Sequence, residues 1–287
     1  MDILTGLNRT MDYIEENINN DVSADAAAGV TNYSAYHLQK LFAYLTDISL
    51  SEYVRRRKMT LAALELQNSD IKVIDLALKF GYDSADSFTR AFSRLHGVSP
   101  SQARKQGVSL RLYPKLSFQI KIKGETEMDY QIIQIDAFNV VGLKRRFYHD
   151  ASRNPQGIPE FWDELRQNGK LKEILSHSDN RYDEAVGVCT NGDGEGLDYF
   201  IAATTSLDRA PEGLELFTFP ANVYAVFHFV GPLHETMPKA ERMIFSEWMP
   251  GSGYDPVDVA DLEVYSTKPH DAPDYEFWCY VPVKKKM

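Results

Sequence analysis

The sequence predicts two domains of different fold class. The N-terminal part is all-α, with two helix-turn-helix units joined by a long helix; the C-terminal part is α+β, built from duplicated strand-helix-strand-strand units. Three observations predict this: a gapless repeat at an offset of 50 residues, a looser duplication beyond residue 128, and a charge balance that changes between the two. At 287 residues the chain is longer than most single domains, and the expected division is 1–107, a connector 108–127, and 128–287. With 44% hydrophobic and 25% charged residues it can bury a sizeable core.

The first repeat lays residues 27–49 over 77–99. Leu38 meets Phe88, Phe42 meets Phe92, Leu45 meets Leu95, and Ser34 meets Ser84. In each copy a short helix (about 23–29 and 73–80) reaches a turn, and Ser34 or Ser84 can cap the helix that follows. Gly81 suits the turn of the second copy because it adopts the left-handed conformation without steric cost, and Thr31-Asn32 occupies that place in the first. Leu38, Leu41, Phe42 and Leu45 recur at helical spacing, as do Phe88, Ala91, Phe92 and Leu95, so each second helix has one buried stripe. The opposite face is expected to be free. It carries Tyr36, Gln39, Lys40 and Ala43 in one copy and Asp86, Thr89, Arg90 and Ser93 in the other, types that reach base edges and phosphates but also form ordinary solvated faces.

Between the copies, residues 49–67 read as one helix of about 18 residues, spanning about 27 Å at 1.5 Å per residue. Such a strut would let two recognition helices enter successive major grooves, about 34 Å apart. Arg55, Arg56, Arg57 and Lys58 wrap round it; one or two of them are expected on phosphate, the others in surface pairs.

The segment from Val73 to Pro100 resembles the AraC-family signature, and Y-S-x-Y-H-L-Q-K-L-F at 33–42 resembles the first recognition helix of the MarA, SoxS and Rob type. The resemblance covers about residues 5–106. It implies a transcription regulator that binds double-stranded DNA, with RNA polymerase as a further partner. It places Tyr36, Gln39 and Lys40 on bases in the first unit and Ala85, Asp86, Thr89 and Arg90 in the second, with Arg55 and Lys58 on the backbone. Ala85 and Asp86 stand where relatives often carry Gln, which points to fewer base contacts from the second helix.

The net charge of −10 fits this only once it is divided. Residues 1–107 hold 12 Lys+Arg against 13 Asp+Glu, whereas 108–287 hold 19 against 28, so the acidity belongs to the second part. There, an extended stretch at 137–147, a helical one at 158–178, and extended stretches at 183–190 and 197–205 recur as 222–231, 232–250, 261–267 and 275–283. Two such units predict an antiparallel sheet with both helices on one side and a groove on the other. VVGL at 140–143, IPEFW at 158–162, YAVFHFVG at 224–231, EWMPGSGYD at 247–255, LEVY at 262–265 and YVPV at 280–283 resemble the GyrI-like effector domains of BmrR- and Rob-type regulators.

Alternation along 262–265 puts Glu263 and Tyr265 on one strand face. The resemblance implies that a Glu here lies among aromatics and attracts a small cationic or amphipathic effector, with Tyr199, Tyr224, Tyr265, Trp278, Trp162 and Phe147 as the wall. The alternative is that Glu263 pairs with a Lys or Arg and the aromatics are plain core. Some GyrI-like proteins are hydrolases using Glu and Tyr, which would cast Glu263 with Tyr224 or Tyr265, and a protein partner is a third possibility. No catalytic residue, metal site or cofactor is predicted: the seven His are scattered, and no phosphate loop or nucleophile elbow occurs. Cys189 and Cys279 lie in apolar stretches and are expected to be buried thiols. With no apolar run of membrane-spanning length and no signal-peptide pattern at the start, the expected location is the cytoplasm.

Overall fold

The computed structural model describes residues 3–20, 22–31, 33–105, 107–118, 128–148, 153–154, 156–190, 192 and 195–286. The chain forms two compact units. One comprises Met1–Asn32 and Ile48–Lys121; the other comprises Tyr33–Asp47 and Ile122–Met287.

The first unit is helical. Helix α1 (Ile3–Glu16) buries Leu7, Met11 and Ile14, one stripe at i, i+4 and i+7. The short α2 (Ala24–Ala28) starts at Ser23, whose hydroxyl accepts from the Ala26 amide. The expected strut is α4 (Leu50–Asn68), capped by Ser49; α5 (Val73–Lys79), α6 (Ala85–His96) and α7 (Pro100–Ala103) follow. Their core joins Met59, Ala62 and Leu66 of α4 to Leu76 and Phe80 beside α5 and to Phe88, Phe92 and Leu95 of α6. The turn of the second repeat has a Schellman ending: Gly81 lies at φ +80°, its amide donates to the Leu78 carbonyl, and that of Tyr82 donates to Ala77. Ser84 then caps α6 through the Ser87 amide. In the first repeat Asn32 falls outside the described residues. Arg57 departs from the expected surface pairing: it is buried on α4 and grips Glu15 of α1.

The second unit contains helix α3 (Ala35–Thr46), capped by Ser34 through the His37 amide, and a sheet whose strand pairs are all antiparallel. Its strands are β1 (Tyr130–Ile135), β2 (Phe138–Tyr148), β3 (Val186–Thr190), β4 (Gly196–Thr205), β5 (Glu215–Phe219), β6 (Asn222–Val230), β7 (Tyr254–Pro256), β8 (Asp261–Tyr265) and β9 (Glu276–Lys285). The order is β1-β6-β9-β8-β3-β4-β2-β5, with β7 beside β9. Helices α8 (Ile158–Gln167) and α9 (Lys170–Leu175) follow β2; α10 (Leu233–Met243), a π-helical turn (Ile244–Trp248) and α11 (Met249–Gly251) follow β6. The duplication is therefore present, and its halves meet where β3 pairs with β8. Strands β1, β5 and β7 lie outside it.

One sheet face carries Val140, Val188, Phe200, Tyr224, Leu262 and Val264. The other carries Val141, Tyr199, Ile201 and Cys189, which pack on Phe161 and Leu165 of α8 and Ile174 of α9. The register pairs Glu263 with Gly187 and Cys279, so Glu263 belongs to this second face. Phe227 of the same face meets Trp248 of the π turn, with ring centroids 4.9 Å apart, and Cys279 meets Met237 of α10. This corrects the expected groove: Glu263 faces the helices rather than the side away from them. Alternation identifies which side chains share a face, but only packing decides which face the helices cover.

Candidate functional site

Strand β8 brings Asp261, Glu263 and Tyr265 to the helix-covered face while Leu262 and Val264 enter the core behind it. Glu263 Oε2 accepts from the Tyr199 hydroxyl at 2.6 Å and the Tyr265 hydroxyl at 2.5 Å. Trp162 of α8 donates its indole N–H to Tyr199 at 3.3 Å and stands edge-on to Tyr265, with centroids 5.4 Å apart. Phe147 meets Tyr199 edge-on at 6.3 Å. The predicted residues Phe147, Trp162, Tyr199, Glu263 and Tyr265 thus form one aromatic box with one carboxylate. Among the described residues no Lys, Arg or His forms an ion pair with Glu263. Burial first, then the charge of Glu263, pushes the Tyr199 and Tyr265 hydroxyls well above their ordinary values, so both remain proton donors.

Space for this cluster comes from Gly187, a residue the sequence reading passed over. A Cβ there would lie 2.1 Å from the Tyr199 hydroxyl and 2.6 Å from Glu263 Oε2. Tyr224 and Trp278 are corrections of the opposite kind. The register places both on the far face with Leu262 and Val264; Tyr224 is fully buried against Phe219 and donates to the Ala260 carbonyl, and Trp278 stacks on His228. Residues paired across strands share a face, and Trp278 is paired with Val264 rather than Glu263; alternation within each strand alone could not link the strands.

A second acidic group on this face also escaped the sequence reading. Asp261, two residues before Glu263 and itself buried, accepts from Lys40 Nζ at 2.5 Å and from the Tyr36 hydroxyl at 3.3 Å. Lys40 lies over the rings of Phe245, 4.8 Å from the centroid, and Tyr36, 5.6 Å. Burial would lower its ammonium, but Asp261 and the surrounding groups more than offset this and hold it well above the ordinary value. Tyr44 stacks on Phe245 at 5.4 Å, and burial, then the charge of Glu241 on α10, pushes its hydroxyl well above the ordinary value. Burial pushes the Glu241 carboxyl up to about 6 against the opposing charge of Lys40.

The face of α3 expected to be free is therefore covered. Tyr36 is 2% exposed and Gln39 6%, while Lys40 is engaged with Asp261. On α6 the corresponding face is open: Asp86 and Arg90 are exposed, Ala85 and Thr89 half-buried. Arg55 is paired with Glu52, and Lys58 donates to the Asn20 carbonyl at 3.1 Å. Cys189 and Cys279 are free, buried thiols. Among the described residues no His, Cys, Asp and Glu side chains gather as metal ligands, and no helix is long and apolar enough to cross a membrane.

The profile of the integron-associated effector binding protein family matches residues 131–283, more than half of the chain, from within β1 to within β9. The chain belongs to this family. Its effector-binding unit is joined to a second match, a helix-turn-helix domain profile over residues 27–106. There, this effector-binding family member is similar to the HTH-type transcriptional activator AarP of Providencia stuartii, 42% identical over 92 residues, which are 32% of this chain and 68% of AarP. It is also similar to the multiple antibiotic resistance protein MarA of Escherichia coli K12, 36% identical over 107 residues, 36% of this chain and 84% of MarA. Its sheet and helices share their fold with SAV2435, solved bound to tetraphenylphosphonium, at a TM-score of 0.50 and 19% identity over 55% of this chain and 94% of that one. The protein is an AraC-type DNA-binding transcription regulator carrying an effector-binding domain.

Proposed function

We propose that this regulator senses a lipophilic organic cation at Glu263, with Tyr199, Tyr265, Trp162 and Phe147 as the surrounding wall. The observation that carries this reading is a half-buried carboxylate held by two tyrosine hydroxyls, framed by an indole, and paired with no cationic side chain among the described residues. Such a group favours a ligand that supplies positive charge together with apolar surface, through charge and cation–π attraction. The tetraphenylphosphonium bound by SAV2435 supports the same ligand class. We read the site as one of binding rather than catalysis; of the two tyrosines a hydrolase reading would pair with Glu263, Tyr265 touches it and Tyr224 is on the far face.

Glu263→Gln keeps the shape and removes the charge. In calorimetric titrations it should weaken tetraphenylphosphonium about tenfold or more, equivalent to about 1.4 kcal/mol, and leave neutral triphenylphosphine oxide nearly unchanged. Equal affinity of both proteins for the cation would leave Glu263 a structural residue.

In this reading residues 1–107 are the DNA reader, 108–127 the connector and 128–287 the sensor, in the cytoplasm, with RNA polymerase as the protein partner. Tyr36, Gln39 and Lys40 read one half of the site and Ala85, Asp86, Thr89 and Arg90 the other, while Arg55 and Lys58 hold the backbone. Arg90→Ala should cost about 1–3 kcal/mol on a DNA site selected by the protein and relax preference at one position. Lys58→Ala should instead weaken all sequences alike and flatten the salt dependence. An Arg90→Ala protein with unchanged affinity and preference would remove α6 from the base-reading surface.

A further inference from the structure

Helix α3 occupies the acidic face beside Glu263 in the way a cationic ligand would. Its Lys40 ammonium sits against the Asp261 carboxylate and over the Phe245 and Tyr36 rings, which is the same combination of carboxylate and aromatic faces found round Glu263. Asp261 and Glu263 are i and i+2 on one strand face, about 7 Å apart along β8. Glu241 of α10 adds a third acidic group that feels both Lys40 and Glu263. Cys189, opposite Asp261 in the register, and Cys279, opposite Glu263, also lie in the field of Lys40. This face thus holds three carboxylates and one resident cation, Lys40 on Asp261, supplied by a helix whose Tyr36 and Gln39 are the residues assigned to DNA bases.

We propose that Lys40 and the effector cation compete for this acidic face, so that ligand binding releases α3 and makes the first recognition helix available to DNA. This rests on the cation reading of Glu263 given above. The direction follows from the burial. With α3 docked, Tyr36 and Gln39 cannot reach a base, so DNA binds with both recognition helices only when α3 is undocked. A second positive charge on the face repels Lys40 and supplies the compensation that Lys40 provided, which lowers the stability of the docked state relative to the undocked one. The effector is then an inducer of DNA binding, and by reciprocity DNA tightens the effector.

The test uses the full chain with tetraphenylphosphonium as the probe and a DNA site selected from a random pool by the same chain. Hydrogen exchange in residues 35–46 should speed up on adding the probe, and DNA affinity should rise about fivefold or more, the lower end of measured couplings. Two variants should reproduce the release without probe: Asp261→Asn, which removes the partner of Lys40, and Tyr44→Ala, which removes a half-buried ring stacked on Phe245. Calorimetric binding of the probe with unchanged or slower exchange in 35–46 would overturn this proposal and leave Glu263 as the ligand site. No heat of binding would reject the cation reading instead. The variants then decide the docking alone: exposed α3 without any gain in DNA affinity would overturn it.

Discussion

Gly187→Ala should abolish tetraphenylphosphonium binding and cost about 1–3 kcal/mol of stability, as overpacked interiors do. The added methyl would stand 2.1 Å from the Tyr199 hydroxyl, 2.8 Å from its ring and 2.6 Å from Glu263 Oε2. Tyr199 is fully buried on β4 between Phe147 and Trp162, so its ring has no space to yield, and Glu263 is fixed by the same hydroxyl. Either the strands part or the Tyr199–Glu263 bond breaks, and both outcomes take the box apart. Thermal melting and calorimetry on the purified variant would check it. Wild-type stability with wild-type affinity would mean that β3 and β4 do not hold these residues as described.

Arg57→Ala should be the most destabilising single change in the helical unit, about 3–5 kcal/mol, the usual penalty for removing one partner of a buried ion pair. Arg57 Nε and Nη2 donate to the two oxygens of Glu15 at 2.7 and 2.5 Å, and Nη1 donates to the Tyr113 carbonyl at 2.6 Å. The side chains are only 10% and 16% exposed, so little solvent screening applies. Without the guanidinium, Glu15 would keep the Tyr53 hydroxyl as a donor at 3.0 Å and would carry a mostly buried charge. The pH dependence follows from the same pair. Burial raises the Glu15 carboxyl, but the hydrogen bonds and charge of Arg57 outweigh this and hold it below the ordinary carboxylate value. A carboxylate depressed in the folded state contributes stability that is present above its ordinary pKa and is lost as pH falls through the lowered one. Wild type and Arg57→Ala should therefore differ most at neutral pH and converge in acid. Denaturant unfolding at the two pH values would test it, and a gap that does not narrow in acid would count against the pair.

The sequence carried the fold wherever information was local. Ser34, Ser49, Ser84 and Gly81 announce helix ends by their own chemistry, and helical spacing marks Phe88, Phe92 and Leu95 as core. Both duplications are visible because each repeats a pattern of apolar period. The site was legible only in part. Glu263 with Tyr265 follows from alternation, and Tyr199, Trp162 and Phe147 join them, but Tyr224 and Trp278 sit on strands whose relative facing is set by pairing register. Lys40 and Asp261 are 221 residues apart, and no periodicity spans such a distance. Gly187 gave no signal because its role is an absence of atoms. Strands β1, β5 and β7 fell outside the repeated unit that guided the reading.

The junction of the two halves has a consequence for how many effectors one chain can take. Gly187 and Glu263 are opposite each other on β3 and β8, the corresponding strands of the two repeats. A perfectly symmetrical ancestor would have set two identical side chains face to face at the midline, and two carboxylates there would repel across a strand pair. Here one half contributes a carboxylate and the other contributes room for it. The architecture is double while this carboxylate is single, so on the reading proposed above the domain would take one effector molecule there, in one orientation.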